Sequence, residues 1–160
     1  MFTNLERLSV EVDGRYATSE ELDFLKSYFG TFKYRISAYQ KIKNNESAIM
    51  NQIQENLEKM NPDIFIQGSV NLKSKWHLDT LRVLRYSAMA LLIDDPEYLQ
   101  QRLLIWFSTI LQAFKVQALT QLTYKTMTDV IISYLTPEEN HLFLPLIELT
   151  SNTLCKKRPL

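Results

Sequence analysis

The chain has almost nothing in it to stop a helix. Its 160 residues contain three glycines, at positions 14, 30 and 68, and five prolines, while apolar residues recur at steps of three and four nearly throughout. That recurrence is the period of one helical face. So few backbone breakers leave little room for the turns that a sheet protein needs. An all-α fold follows, and 160 residues suit one domain, 1–160, with a sizeable core.

The breakers that do exist divide the chain. Leu5, Leu8 and Val12 share one face of a short first helix that Asp13-Gly14 closes. Thr18-Ser19-Glu20-Glu21 reads as a capping box, its hydroxyl accepting from the third backbone N–H while Glu21 reaches back. Leu22, Leu25 and Phe29 form a second stripe, with Gly30 placed to supply a left-handed cap. Further helices are expected over about 32–42 and 47–60, and Asn61-Pro62 ends the latter because proline disfavours helical geometry at the residue before it. Residues 63–73 are the least helical stretch.

Leu81, Leu84, Ala88 and Leu91 mark a long helix ending at Asp94-Asp95, where Asp95 caps and Pro96 takes the first position of the next. That next helix, to about Phe114, is apolar nearly all round, which predicts deep burial. A segment from Leu119 to Leu135 follows, and Thr136-Pro137-Glu138-Glu139 starts the last helix with cap, proline and N3 glutamate together. Pro145 is expected to kink or restart it.

Charge and chemistry narrow the function by exclusion. Lys plus Arg and Asp plus Glu number 18 each, so no one-signed field draws in nucleic acid or an acidic membrane. Lys156-Lys157-Arg158 reads as a solvated basic tail complementing a helix C-terminus. The single cysteine, Cys155, excludes an internal disulfide and suits a reducing cytoplasm; it reads as a half-buried thiol made modestly reactive by neighbouring lysines. The N-terminus lacks a secretory pattern, and the apolar runs are far short of the roughly 18 residues of a membrane span. His77, His141 and Cys155 share no metal-ligand spacing, and no phosphate loop, nucleophile elbow or carboxylate pair appears. The expectation is a non-enzyme.

Four segments carry a resemblance: Asp13-Gly14-Arg15-Tyr16-Ala17-Thr18-Ser19-Glu20-Glu21-Leu22-Asp23, Asn61-Pro62-Asp63-Ile64, Trp76-His77-Leu78-Asp79-Thr80-Leu81-Arg82-Val83-Leu84-Arg85, and the run from Ala88 to Asp95. With one gap they resemble, in register, the phycobiliprotein family (allophycocyanin- and phycocyanin-like phycobilisome proteins). The resemblance implies a globin-like bundle over 31–160, preceded by an N-terminal helical hairpin over 1–30 that packs against a partner subunit. Leu5, Leu8, Val12, Asp13, Arg15, Leu22, Leu25 and Phe29 are then the interface candidates, the alternative being that their apolar members fold back on their own bundle.

The departures matter as much. Where the family attaches a bilin through cysteine this chain has Trp76, and where it pairs an arginine with a propionate this chain has Leu78; the following aspartate is kept as Asp79. A thioether needs a sulfur nucleophile, so no covalent bilin is expected. The loop before the site is also shorter than the family's, represented by Gln67-Gly68-Ser69-Val70-Asn71. Trp76, His77, Asp79, Arg82 and Arg85 would line the degenerate pocket. Either Trp76 fills the vacated volume and Asp79 pairs with Arg82 three residues on, or Trp76, His77 and Asp79 line a reduced cavity for a noncovalent tetrapyrrole, with His77 as axial ligand.

The resemblance thus implies a colourless accessory, adaptor or assembly factor of a cyanobacterial phycobilisome or photosystem. It would form homodimers or hetero-oligomers, be cytoplasmic, and reach the thylakoid surface through partners rather than by insertion. The alternative is a carrier or sensor of haem, a bilin or a chlorophyll precursor.

Overall fold

A computed structural model describes residues 1–156. Its helices, in chain order, are α1 (Phe2–Glu11), α2 (Asp23–Asn44), α3 (Glu46–Met60), α4 (Lys73–Ile93), α5 (Pro96–Leu99), a π-helical turn (Gln100–Leu104), α6 (Ile105–Ala113), α7 (Gln117–Ile131) and α8 (Pro137–Leu154). A two-stranded antiparallel ribbon, β1 (Ile66–Gln67) and β2 (Val70–Asn71), interrupts the helices between α3 and α4. Gly68 turns it at φ +62°, a conformation that costs glycine least. The all-α expectation holds.

One core runs through the body, formed by Ala38 and Ile42 of α2, Ile49, Ile53 and Leu57 of α3, Leu84 and Leu91 of α4, Met127 and Ile131 of α7, and Phe143 and Ile147 of α8. α8 packs on α2, α4, α6 and α7, while α3 lies against α7. It begins with the reciprocal Thr136–Glu139 capping box and a proline at its first turn, as the sequence predicts. Pro145 does not restart α8, which runs through it to Leu154; Leu146 and Ile147 beside it are buried and hold the segment on the core. Asp95 caps α5 by accepting from the Tyr98 N–H.

Other expectations are corrected. Gly30 caps nothing: α2 is one helix from Asp23 to Asn44 and merges the two segments read on either side of the glycine. A mid-helix glycine costs about 1 kcal/mol relative to alanine, and the buried face of Tyr28, Arg35, Ala38 and Ile42 outweighs it. The proposed division at residue 30 therefore falls inside a helix. The Thr18–Glu21 box forms reciprocally, at 3.3 and 2.8 Å, but closes a turn four residues long before α2 starts. The segment from Pro96 to Ala113 is not buried all round, since Ile105 and Trp106 are 48 and 42 % exposed. The π-helical turn inserts there and rotates the later residues, bringing Leu99, Leu103, Phe107 and Leu111 inward at four-residue steps.

Half-buried ion pairs tie α2 to its neighbours. Arg35, 6 % exposed, donates to the Leu91 carbonyl at 2.9 Å and pairs with Asp94 at 2.9 Å. Asp94 itself sits at φ 49° and ends α4 in the left-handed conformation. Glu139 accepts from Lys41, Ser37 and the Thr136 N–H. No helix among the described residues is long and apolar enough to cross a membrane.

Candidate functional site

The first turns of α4 carry the site. Trp76 is 7 % exposed. Its face meets Phe65 with ring centroids 4.7 Å apart, and its indole N–H donates to Thr123 Oγ1 on α7 at 2.8 Å. An indole buried with its one polar atom satisfied is a well-fixed wall. Thr123 in turn donates to the Leu119 carbonyl, which leaves its lone pairs for Trp76. The void left between α4, α6 and α7 measures about 50 Å³ and is lined by Trp76, Phe107, Leu111, Leu119 and Tyr124, with Lys75 and Asp79 among its polar members. Ligand pockets commonly measure about 300–1,000 Å³. The void is smaller than such a pocket.

The predicted pocket residues do not converge. Trp76 and Asp79 line the void; His77, Arg82 and Arg85 do not. His77 is half-buried with its ring edge-on to Trp76 at 6.3 Å, and it is not among the residues facing the void. Arg85 turns the other way, where its Nε and Nη2 bind Glu46 at the start of α3, each at 2.7 Å. That pair lowers the carboxyl pKa of Glu46 and raises that of the guanidinium. On a helix three and four residues separate neighbours on one face, whereas Trp76 and Arg85 are nine apart, so burial of the first does not orient the second.

Asp79 pairs chiefly with Lys75, at 3.1 Å; Arg82 reaches it only at 3.9 Å. The expected partner is thus the weaker of two, although the i,i+4 spacing of Lys75 was open to view. Lys75 also lies 5.2 Å above the Phe114 ring, at the rim of the void. Burial pushes the Tyr124 phenol up, away from ionisation. Cys155 is likewise raised by burial, with the Ser151 hydroxyl only partly opposing it, a direction that disfavours the thiolate. The Lys157 and Arg158 part of the basic tail lies outside the described residues.

The arm candidates are placed on the surface. Leu5, Leu8, Val12, Leu22 and Leu25 are half-buried, while Asp13, Arg15 and Phe29 are exposed, Phe29 by 68 %. Arg15 closes onto Glu21 at 2.7 Å, and that bond with the Thr18 N–H holds the Glu21 carboxyl at about 2. α1 buries no residue. Sequence reasoning missed Phe65 and Thr123, the partners that fix Trp76, and Lys41, the partner of Glu139. None is close in sequence to the group it meets, so no local pattern marked them.

The description "Phycobilisome protein" belongs to a family whose sequence pattern matches residues 8–154 of this chain. An allophycocyanin beta chain from Microchaete diplosiphon is 33 % identical over 101 residues, a match covering 60 % of this chain and 61 % of that protein. The match thus spans less than two thirds of the relative. With the all-helical, globin-like architecture, the family match over nearly the whole length settles affiliation: this chain belongs to the phycobilisome protein family.

Proposed function

We propose that this protein carries no pigment and acts through shape and contact, as an accessory, adaptor or assembly factor for a phycobilisome or photosystem. The observation that supports it most is Trp76: an indole packed on Phe65, bonded to Thr123 and leaving about 50 Å³. A residue that merely lacked sulfur would leave the volume open, whereas this one occupies it. The half-buried stripe of Leu5, Leu8 and Val12 and the exposed Phe29 supply the contact surface. Without a convergent acid, base or nucleophile at the void, the reading is non-enzymatic, and association with thylakoids would come through partners.

The carrier reading has less support. A noncovalent tetrapyrrole would need Trp76 to swing away from Thr123, and His77 does not line the void it would have to ligate across.

The test is purification of the tagged chain from a photosynthetic host, with an absorption spectrum and identification of bound proteins. The expected result is no stoichiometric visible band together with capture of phycobilisome or photosystem subunits, and at least tenfold weaker capture for Phe29→Asp at unchanged thermal stability. A visible band that disappears on denaturation would support the carrier instead.

A further inference from the structure

α1 is attached to the body in an unusual way. None of its side chains is fully buried, and Leu5 and Leu8 are only half-buried, so apolar burial contributes less to its attachment than it does for the other helices. What joins it to the body is polar and concentrated at one corner, the break between α4 and α5. The Thr3 N–H donates to Asp95 Oδ2 at 2.8 Å, and the Thr3 hydroxyl reaches both carboxylate oxygens at 2.8 and 2.9 Å. The Met1 nitrogen donates to the Asp94 carbonyl. Further along, Arg7 meets Glu97 at 3.0 Å, but both side chains are about half exposed, and such pairs contribute little.

Asp95 is suited to hold such an element. It is 3 % exposed, and one of its oxygens also accepts from the Tyr98 N–H, so the carboxylate is fixed by the bundle whether or not α1 is present. Burial alone would raise its pKa; the bonds from Thr3 and Tyr98 outweigh burial and lower it, which keeps the group charged near neutrality. On the other side of α1, residues 12–22 form turns without regular structure, and Gly14 takes φ +73° there with no atom near the place of a Cβ. α1 thus has a turn-rich joint at one end, closed only by exposed contacts of Arg15 and Thr18 with Glu21, and a polar clasp at the other.

We infer that α1 is a strap that opens as one unit about residues 12–22, with Asp95 as its clasp. Opening frees the Leu5, Leu8 and Val12 stripe and uncovers the Asp94–Glu97 corner, while the bundle stays folded. Elements with few buried contacts open at a fraction of the global free energy, so a partner that takes the stripe meets a helix already separable from the body. The inference does not depend on whether pigment is bound.

Hydrogen exchange of the full chain tests it, with α8 amides as the internal reference. In the unaltered protein α1 amides should exchange well ahead of those of α8. Thr3→Val removes the hydroxyl clasp and leaves the Asp95 cap on Tyr98 intact; it should speed α1 exchange about tenfold, the weight of one hydrogen bond to a charged group, with α8 unchanged. Asp95→Asn should do at least as much. The strap is overturned if α1 exchange in Thr3→Val stays within about twofold of the unaltered protein, or if it rises only in step with α8.

Discussion

Two regions of the molecule carry large apolar side chains and treat them oppositely. At the start of α4, Trp76 is 7 % exposed, tilted against Phe65 and bonded through its nitrogen to Thr123. On α1 and the first half of α2, Phe2, Val10 and Phe29 are 57, 74 and 68 % exposed, and Tyr16 between them is 97 % exposed. The first region is closed by aromatic packing around a small void. The second has been left as surface. One region closes around its aromatic side chains and the other presents them, which is why the two are best read together.

The largest effect should come from undoing the filled region. Trp76→Ala removes the ring, the Phe65 contact and the donor to Thr123, and enlarges the void at the same place. Large-to-small core substitutions of this kind cost about 3–5 kcal/mol, and urea unfolding should show a loss in that range. A loss below about 1 kcal/mol would mean that the wall is soft, and the contrast with the arm would collapse.

A second effect sharpens the contrast from the side of charge. Glu139 is 2 % exposed, and Lys41 opposite it 37 %. Burial alone would raise the carboxyl pKa, but Lys41, Ser37 and the Thr136 N–H outweigh it and lower it. A lowered folded pKa gives stability that is present above the unfolded value, about 4.3, and is lost as pH falls through the folded one. Glu139→Gln should cost about 1.5–3 kcal/mol at neutral pH, as loss of bonds to a charged group does, and the smaller figure is favoured by the exposure of Lys41. Its stability should also fall less steeply on acidification than that of the parent, although Asp95, lowered in the same direction, keeps some slope. Parallel acid profiles for the two proteins would remove Glu139 from the account.

Helix ends set by local chemistry were legible in the sequence. Thr136-Pro137-Glu138-Glu139, Asp95-Pro96 and Asn61-Pro62 act within a few residues, and the structure follows each. Features decided by distant neighbours were not. Gly30 looked like a stop because its preference is local, yet Arg35 and Ala38 hold the helix through it by contacts with α4 and the core. The π-helical turn follows from the need to turn four-residue spacing inward, and no residue of Gln100–Leu104 announces it. At the site, the burial of Trp76 was readable as one of two expectations. Thr123 as its acceptor, 47 residues away, was not. Arg85 was placed with the pocket by the family resemblance, and helical rotation carries it to Glu46 instead.

The smallest effect concerns the mouth of the void, where the two treatments of side chains meet. Asp79 is 17 % exposed, and Lys75 and Arg82 are about half exposed. Such pairs contribute about 0.2–1 kcal/mol, so Asp79→Asn should change stability by less than about 1 kcal/mol. The partner is the sharper question. A double-mutant cycle between Lys75→Ala and Asp79→Asn should give a coupling near 0.5 kcal/mol, while the cycle with Arg82→Ala should give almost none, because 3.1 Å supports a hydrogen-bonded pair and 3.9 Å does not. Lys75→Ala alone should cost slightly more than its coupling to Asp79, since it also loses the contact with the Phe114 ring. A larger coupling through Arg82 would mean that the carboxylate leans outward along the helix rather than back toward the rim. Asp79 would then belong with the solvated surface, and the filled region would end at Trp76.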